Sequence, residues 1–264
     1  MKTRILLMAL VIAGALCSCR NDKKDALTAL DIAKGKIQNS IDLLNGVMVS
    51  VAGSMVGVVA DPVAVRARLK QVCSDWLLTK EVAFITPGGA KQIIEPRSLQ
   101  EYQGTSLNEK YDVKETMQSG QPVFSGLFKA PEGFQAVGDV HPVVSGSTVL
   151  GAIEVEFLPY DLIHRIRITL VTAPDEIWVM DQDGTVIYKE DSGMVGKNIF
   201  TDDSFSKFNN FQTACKTIAG AESGEVNYSY YTVGTTSNLS DKTAFWRTIK
   251  MHDKSWKIIY TLEN

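Results

Sequence analysis

A chain of 264 residues, 45% of them apolar and 22% charged, holds enough apolar material for one large or two small folded units. Lysine and arginine number 27 against 30 aspartate and glutamate, a formal net charge of −3 that excludes the basic footprint of a nucleic-acid-binding protein. The sequence has no Gly-x-Ser-x-Gly elbow, His-Glu-x-x-His pair or phosphate-binding loop, so it points away from an enzyme and implies no cofactor.

Lys2 and Arg4 form a short basic region, and Ile5 to Leu16 an apolar run of signal-peptide length, too short to span a bilayer comfortably. Leu16-Cys17-Ser18-Cys19 then resembles a bacterial lipobox, with a small residue before the cysteine that is acylated and becomes the mature N-terminus. Cys17 competes, but Leu16 puts a bulky residue before it; an ordinary secretory signal is the other alternative. Two acyl chains anchor a protein stably, at about 0.8 kcal/mol per buried CH₂. The expected divisions are a signal peptide over 1–18 and a polar tether over 19–25, exported and held at a membrane through lipid on Cys19. Loss of Lys2 and Arg4 with the signal peptide takes the net charge from −3 to −5.

From 26 to 60 the apolar positions Leu30, Ile37, Ile41, Leu44, Met48, Val51, Met55 and Val58 line one stripe of a long helix. Asp61-Pro62 predicts a break with an N-cap and a first-turn proline, then a helix to about Leu78. Strands are expected at 82–86 and 92–95, joined by the turn Pro87-Gly88-Gly89, with a loop over 97–108 and a short helix over 111–119. Three more strands follow at 123–128, 134–141 and 150–157, completing one α+β module over 61–158. The order then repeats over 159–264. A helical connector at 159–170 leads to a hairpin through Gln182-Asp183-Gly184, a helix near 204–219, a strand at 225–231, and a last hairpin through His252-Asp253-Lys254. Cys73 and Cys215 fall in helices of different modules; two free thiols is the simpler reading, with a disulfide as the alternative.

Ile177 to Tyr188, followed by Gly196-Lys197-Asn198-Ile199-Phe200, resembles the strand-turn-strand and Gly-Lys-Asn loop of double Cache sensor domains. Gly120 to Phe128, Gly133-Phe134 and His141-Pro142-Val143 are similar to strands of the membrane-distal Cache module, and Phe245-Trp246 and Trp256 fit the last strands of the proximal one. The resemblance implies an α+β fold with a long N-terminal helix and two PAS-like modules, each an antiparallel sheet flanked by helices. It implies an extracytoplasmic sensor that binds a small organic ligand and passes its state to a membrane receptor or kinase. The cluster that amino-acid-binding members use for the α-carboxylate is represented by Trp76 alone, without its arginine or tyrosine, which lowers the expectation of an amino-acid ligand.

By that analogy the ligand sits in the distal module, and its expected contacts are Trp76, Tyr102, Tyr111, Phe124, Phe134, Asp139 and His141. Taken alone, each aromatic favours plain core packing over ligand contact. Asp139 and His141, two apart on a strand, share a face that either lines a pocket or meets solvent. Asp181, Asp183 and Asp191 lack the calcium-loop pattern and read as a solvated turn. His141, His164 and His252 are dispersed and show no metal-ligand spacing. The competing function is a structural or assembly lipoprotein that uses this fold as a protein-binding surface without ligand.

Overall fold

A computed structural model describes residues 2–131, 133–170, 177–231 and 238–264, with backbone alone for 2–21 and Ser192. Helix α1 runs from Lys2 to Met55. The side chain of Cys19 lies outside the described residues. No helix among the described residues is long and apolar enough to cross a membrane.

The stripe of α1 is the spine of the molecule. Leu30, Ile37, Ile41, Leu44, Met48, Val51 and Met55 are all buried in one core. Val58, expected to extend that stripe, lies past the helix end among turns and is half-buried. Within α1, Asp31 and Gln38 tie the helix to the C-terminal module: Asp31 accepts from Arg247 Nε at 2.7 Å, and Gln38 exchanges hydrogen bonds with the Lys250 backbone. Farther along, the helix meets the other module, where the Ser40 carbonyl accepts from Trp76 Nε1 at 3.1 Å. One helix thus touches both sheets.

Helix α2 (Pro62–Asp75) starts as expected, with the Asp61 side chain accepting from Val63 and Ala64 N–H. Such a cap satisfies donors that have no partner within the helix. Strands β1 (Thr79–Ile85), β2 (Lys91–Glu95), β3 (Val123–Phe124), β5 (Gln135–Ser145) and β6 (Thr148–Phe157) form the first sheet, in the order β2-β1-β6-β5-β3. The single strand expected over 123–128 is broken into β3 and β4 (Phe128–Lys129), both paired with β5. The break falls where Ser125 N–H donates to the Gly138 carbonyl and Ser125 Oγ accepts from Gly138 N–H, so a side chain replaces part of the ladder. Helix α3 (Tyr111–Ser119) crosses the face of this sheet opposite α1 and α2, and ends at Gly120 in the left-handed conformation.

Helix α4 (Pro159–Arg167) leads into the second module. Strands β7 (Ile177–Asp181), β8 (Val186–Tyr188), β9 (Ser223–Tyr231), β10 (Leu239–Met251) and β11 (Lys254–Glu263) form a second antiparallel sheet in the order β8-β7-β11-β10-β9. Helix α5 (Asn209–Gly220) covers its outer face; it starts five residues later than the sequence suggests because Asp202 caps a separate short 3-10 turn at 203–205. The Asp181 carboxylate accepts from Asp183 and Thr185 N–H, which accounts for the aspartates here as turn formers. Cys73 and Cys215 are both free thiols. Trp256 joins the modules, its ring centre 5.8 Å from Phe124 and 6.5 Å from Phe157 of the first sheet.

Candidate functional site

Strand alternation divides the first sheet into two chemically opposite faces. Val82, Phe84, Val137, Ile153, Val155 and Phe157 point to α1 and α2 and join the main core. Glu81, Glu154 and Glu156 point the other way, toward α3, and all three are buried. An alternating polar row on an antiparallel strand ordinarily meets water. Here α3 and the preceding segment cover it.

The cover is pinned along the outer edge of β2. Lys91 N–H donates to Thr105 O, Gly104 N–H to Lys91 O, and Leu107 N–H to Gly89 O at 2.7 Å. Gly89 sits at φ +78°, and a Cβ there would fall 1.8 Å from Asn108 Oδ1, so only glycine lets the loop lie this close. From α3, Asp112 and Thr116, one turn apart, face the sheet and are buried.

A bulge supplies the first cation. In β1–β2, Phe84 pairs with Ile93 but Ile85 pairs with Lys91, skipping Gln92. The extra residue turns Lys91 onto the covered face. There its Nζ lies 2.5 Å from Glu81 and 3.2 Å from Glu156. Lys110 supplies the second cation, paired to Glu154, 3.5 Å from Asp112 and 3.7 Å from Glu156, with its ammonium 3.8 Å from the centre of the Phe128 ring. Gly138 leaves the room: a Cβ there would meet Glu154 at 3.0 Å, Asp112 at 3.3 Å and Lys110 at 3.4 Å.

Four buried carboxylates (Glu81, Glu154, Glu156 and Asp112) therefore face two lysines. Burial raises the Asp112 carboxyl above its ordinary range, opposed by Lys110 and reinforced by Glu154. Burial and the neighbouring Glu154 likewise raise Glu156, against Lys91 and Lys110. Burial disfavours the charge on Lys91 and Lys110, but Glu154 and its neighbours outweigh it and hold both ammonium groups protonated. Among the described residues, Glu154 Oε2, Glu156 Oε2, Asp112 Oδ2 and Thr116 Oγ1 are buried without a hydrogen-bond partner within the protein. Leaving such a group unsatisfied costs about 1–3 kcal/mol, more when it is charged. The arrangement is built to accept hydrogen bonds and positive charge.

The residues expected from sequence divide differently. Trp76 and Phe124 lie in the main core on the α1 side of the sheet. Tyr102 and Tyr111 belong to the covering segments; Tyr102 is half-buried and Tyr111 exposed. Phe134 is half-buried, with the Lys80 ammonium 5.4 Å from its ring centre. Asp139 and His141 do share a face and are buried, but that face is the α1 side, where they meet His252 of the second module. The charged ring under α3 had one sequence signal: Glu154 and Glu156 alternate within an apolar strand and match the parity of Glu81, which pairs directly with Glu156.

Residues 40–159 match the family model of the HK/GC/chemotaxis protein-like sensor domain. No curated protein matches the sequence. An extracellular ligand binding receptor from Desulfohalobium retbaense superposes with TM-score 0.72 at 20% identity, over 88% of this chain, which spans 39% of that receptor's chain. The periplasmic sensory domain of the Campylobacter jejuni chemoreceptor Tlp1 gives TM-score 0.70 at 13% identity, over 92% of this chain and 95% of that one. The ligand-binding domain of the Pseudomonas aeruginosa amino acid chemoreceptor PctB, in complex with L-Arg, gives 0.68 at 14% identity, over 92% and 96%. At these identities the likeness is one of fold: a long helix followed by two antiparallel modules, as in the Cache-like ligand-binding domains of periplasmic chemoreceptors.

Proposed function

We propose that this chain is an extracytoplasmic sensor, anchored through lipid on Cys19, whose first module holds a small cationic amine beneath α3. The observation that carries the ligand chemistry is the excess of carboxylates over lysines in a buried ring, with oxygens of Glu154, Glu156 and Asp112 lacking hydrogen-bond partners within the protein. An ammonium group brings three donors and a charge to such a ring. The bound L-Arg of one structural neighbour is consistent with a cationic ligand, though it belongs to that protein. Tyr102, Tyr111 and Phe134, outside the main core, are proposed as apolar walls beside the charged ring. Asp139, His141, Trp76 and Phe124 act in this reading through the sheet rather than on the ligand.

Ligand bound between the sheet and α3 favours whichever state of the module contacts it better. The apolar face of that same sheet packs on α1, so a shift of the sheet is felt by the helix that touches both modules. In this reading a membrane receptor or kinase then reads the change.

A thermal-shift screen of residues 26–264 tests the ligand, using diamines, cationic amino acids, their uncharged isosteres and organic acids. Ligand at about a hundred times its dissociation constant adds about 2.7 kcal/mol. The expected result is a response confined to cations and weakened at least about tenfold by Asp112→Asn, in line with loss of one charge-assisted hydrogen bond. A response led by organic acids, or none at all, overturns the amine reading. Metabolic labelling with a clickable fatty acid tests the anchor: Cys19→Ala is expected to lose both label and membrane retention, and retention of both overturns it.

A further inference from the structure

Three side chains that the ring under α3 does not use converge at the seam between the modules. Asp139 and His141 project from β5 on the α1 side of the first sheet. His252, at the tip of the β10–β11 hairpin, reaches them from the second module. Asp139 Oδ1 lies 3.2 Å from His141 Nε2 and 3.0 Å from His252 Nε2. All three donor atoms lie within 4.8 Å of one another. His141 Nε2 is buried, aimed into this cluster, and makes no hydrogen bond of acceptable geometry. The side chain of His252 is 17% exposed, so the cluster is reached from solvent past one imidazole.

The two edges to Asp139 Oδ1 suit a small tetrahedral ion. Bonds of about 2.0–2.1 Å to nitrogen and oxygen place neighbouring donors about 3.3 Å apart. The two measured edges fall within a few tenths of an ångström of that. Two imidazoles with one carboxylate suit zinc and its borderline neighbours; calcium and magnesium require oxygen ligands. His252 occupies φ +43° in the two-residue turn, a conformation that His adopts more readily than most side chains, and the turn holds its ring against Asp139.

We propose that Asp139, His141 and His252 form a Zn²⁺-class site that clips the second module's hairpin to the first module's sheet. Three protein ligands leave a fourth position for water or an incoming donor. The site stands apart from the amine reading, since none of its residues faces α3.

Competition of the dialysed protein against a chromophoric zinc chelator tests it, with Co²⁺ as a spectroscopic probe. The expected result is one Zn²⁺ per chain and the intense visible bands of four-coordinate Co²⁺. His252→Asn suits the left-handed turn and lies at its tip, so the fold is retained; it should cut zinc affinity by at least about 10–100-fold, the loss that follows even from removing an outer-shell partner. His141→Ala should abolish the Co²⁺ bands. Circular dichroism confirms that each variant is folded before titration. Zinc affinity unchanged in His252→Asn, or Co²⁺ spectra of a six-coordinate hydrated ion in the unaltered protein, overturns the proposal.

Discussion

The two modules share a sheet order and a covering helix, yet the space beneath that helix is opposite in character. Under α5, Trp178, Met180, Phe211, Ile218, Tyr228, Trp246 and Ile259 fill the face with a second apolar core. Polar groups on this face include buried Lys242 and Lys257, and Trp178 Nε1 donates to Thr261 Oγ1 at 3.2 Å. Under α3, a small apolar cluster of Ile85, Val113, Val140 and Ala152 gives way along the same strands to the ring of Glu81, Lys91, Lys110, Asp112, Glu154 and Glu156. A face filled with rings closes on itself. A face filled with excess carboxylates holds its helix at a continuing cost in desolvation, which a cation would relieve. Under the proposed function, the same architecture is a structural platform in one copy and a receptive site in the other.

The largest expected effect separates these two interiors. Lys91→Ala removes the cation 2.5 Å from Glu81 and 3.2 Å from Glu156 and should destabilise the protein by about 3–5 kcal/mol. Phe211→Ala should cost a similar 3–5 kcal/mol by opening a cavity under α5. Urea unfolding reads both losses, and amine ligand tells them apart. It should restore much of the stability of Lys91→Ala and none of that lost by Phe211→Ala. Equal rescue of both would mean that the ring is not the site.

Gly138→Ala asks how tightly the ring is packed. Its new methyl would sit 3.0–3.4 Å from Glu154, Asp112 and Lys110, so the charged ends must move. A loss of about 1–3 kcal/mol is expected, together with weaker amine binding. The second module's Gly224 is confined more tightly, by the Trp246 ring at 2.5 Å. Substitution there should destabilise without touching ligand affinity.

A pH series probes the ring more gently. Asp112 and Glu156 stand above their ordinary values of 3.8 and 4.5 in the folded protein, through burial and the nearby Glu154. The folded state therefore holds these protons more tightly than the unfolded chain. Their contribution to stability falls as pH rises from those ordinary values through the raised ones. Over the same interval the ring gains negative charge and amine affinity rises. Urea melts should show Asp112→Asn losing its share of that slope, and calorimetry should show amine binding weakest in acid.

Much of the frame was legible because periodicity reports burial. The α1 stripe from Leu30 to Met55, the Asp61-Pro62 start of α2 and the Gly120 stop of α3 all follow from local chemistry. The ring was not legible, because alternation cannot tell a solvated polar face from one that a distant helix covers. Glu154 and Glu156 look like surface residues until α3 is laid over them. Lys91 was hidden by the bulge at Gln92, which reverses the face that simple alternation assigns. Asp139 and His141 were correctly read as sharing a face, but nothing in the order of residues could bring His252 to them from 111 positions beyond His141.

The smallest expected effect tests which side of the first sheet meets the ligand. Trp76 sits 4.9 Å from Phe157 on the α1 side, and its Nε1–H donates to the Ser40 carbonyl at 3.1 Å. Trp76→Phe keeps most of the apolar contact and removes that hydrogen bond, a loss of about 1 kcal/mol. Because the indole faces α1 and the ring faces α3, amine affinity should stay unchanged while the urea midpoint falls. A drop in affinity that exceeds the drop in stability would move the site across the sheet, to the face where Asp139 and His141 lie. The comparison between the modules would then rest on their α1-facing surfaces instead of on what lies beneath α3 and α5.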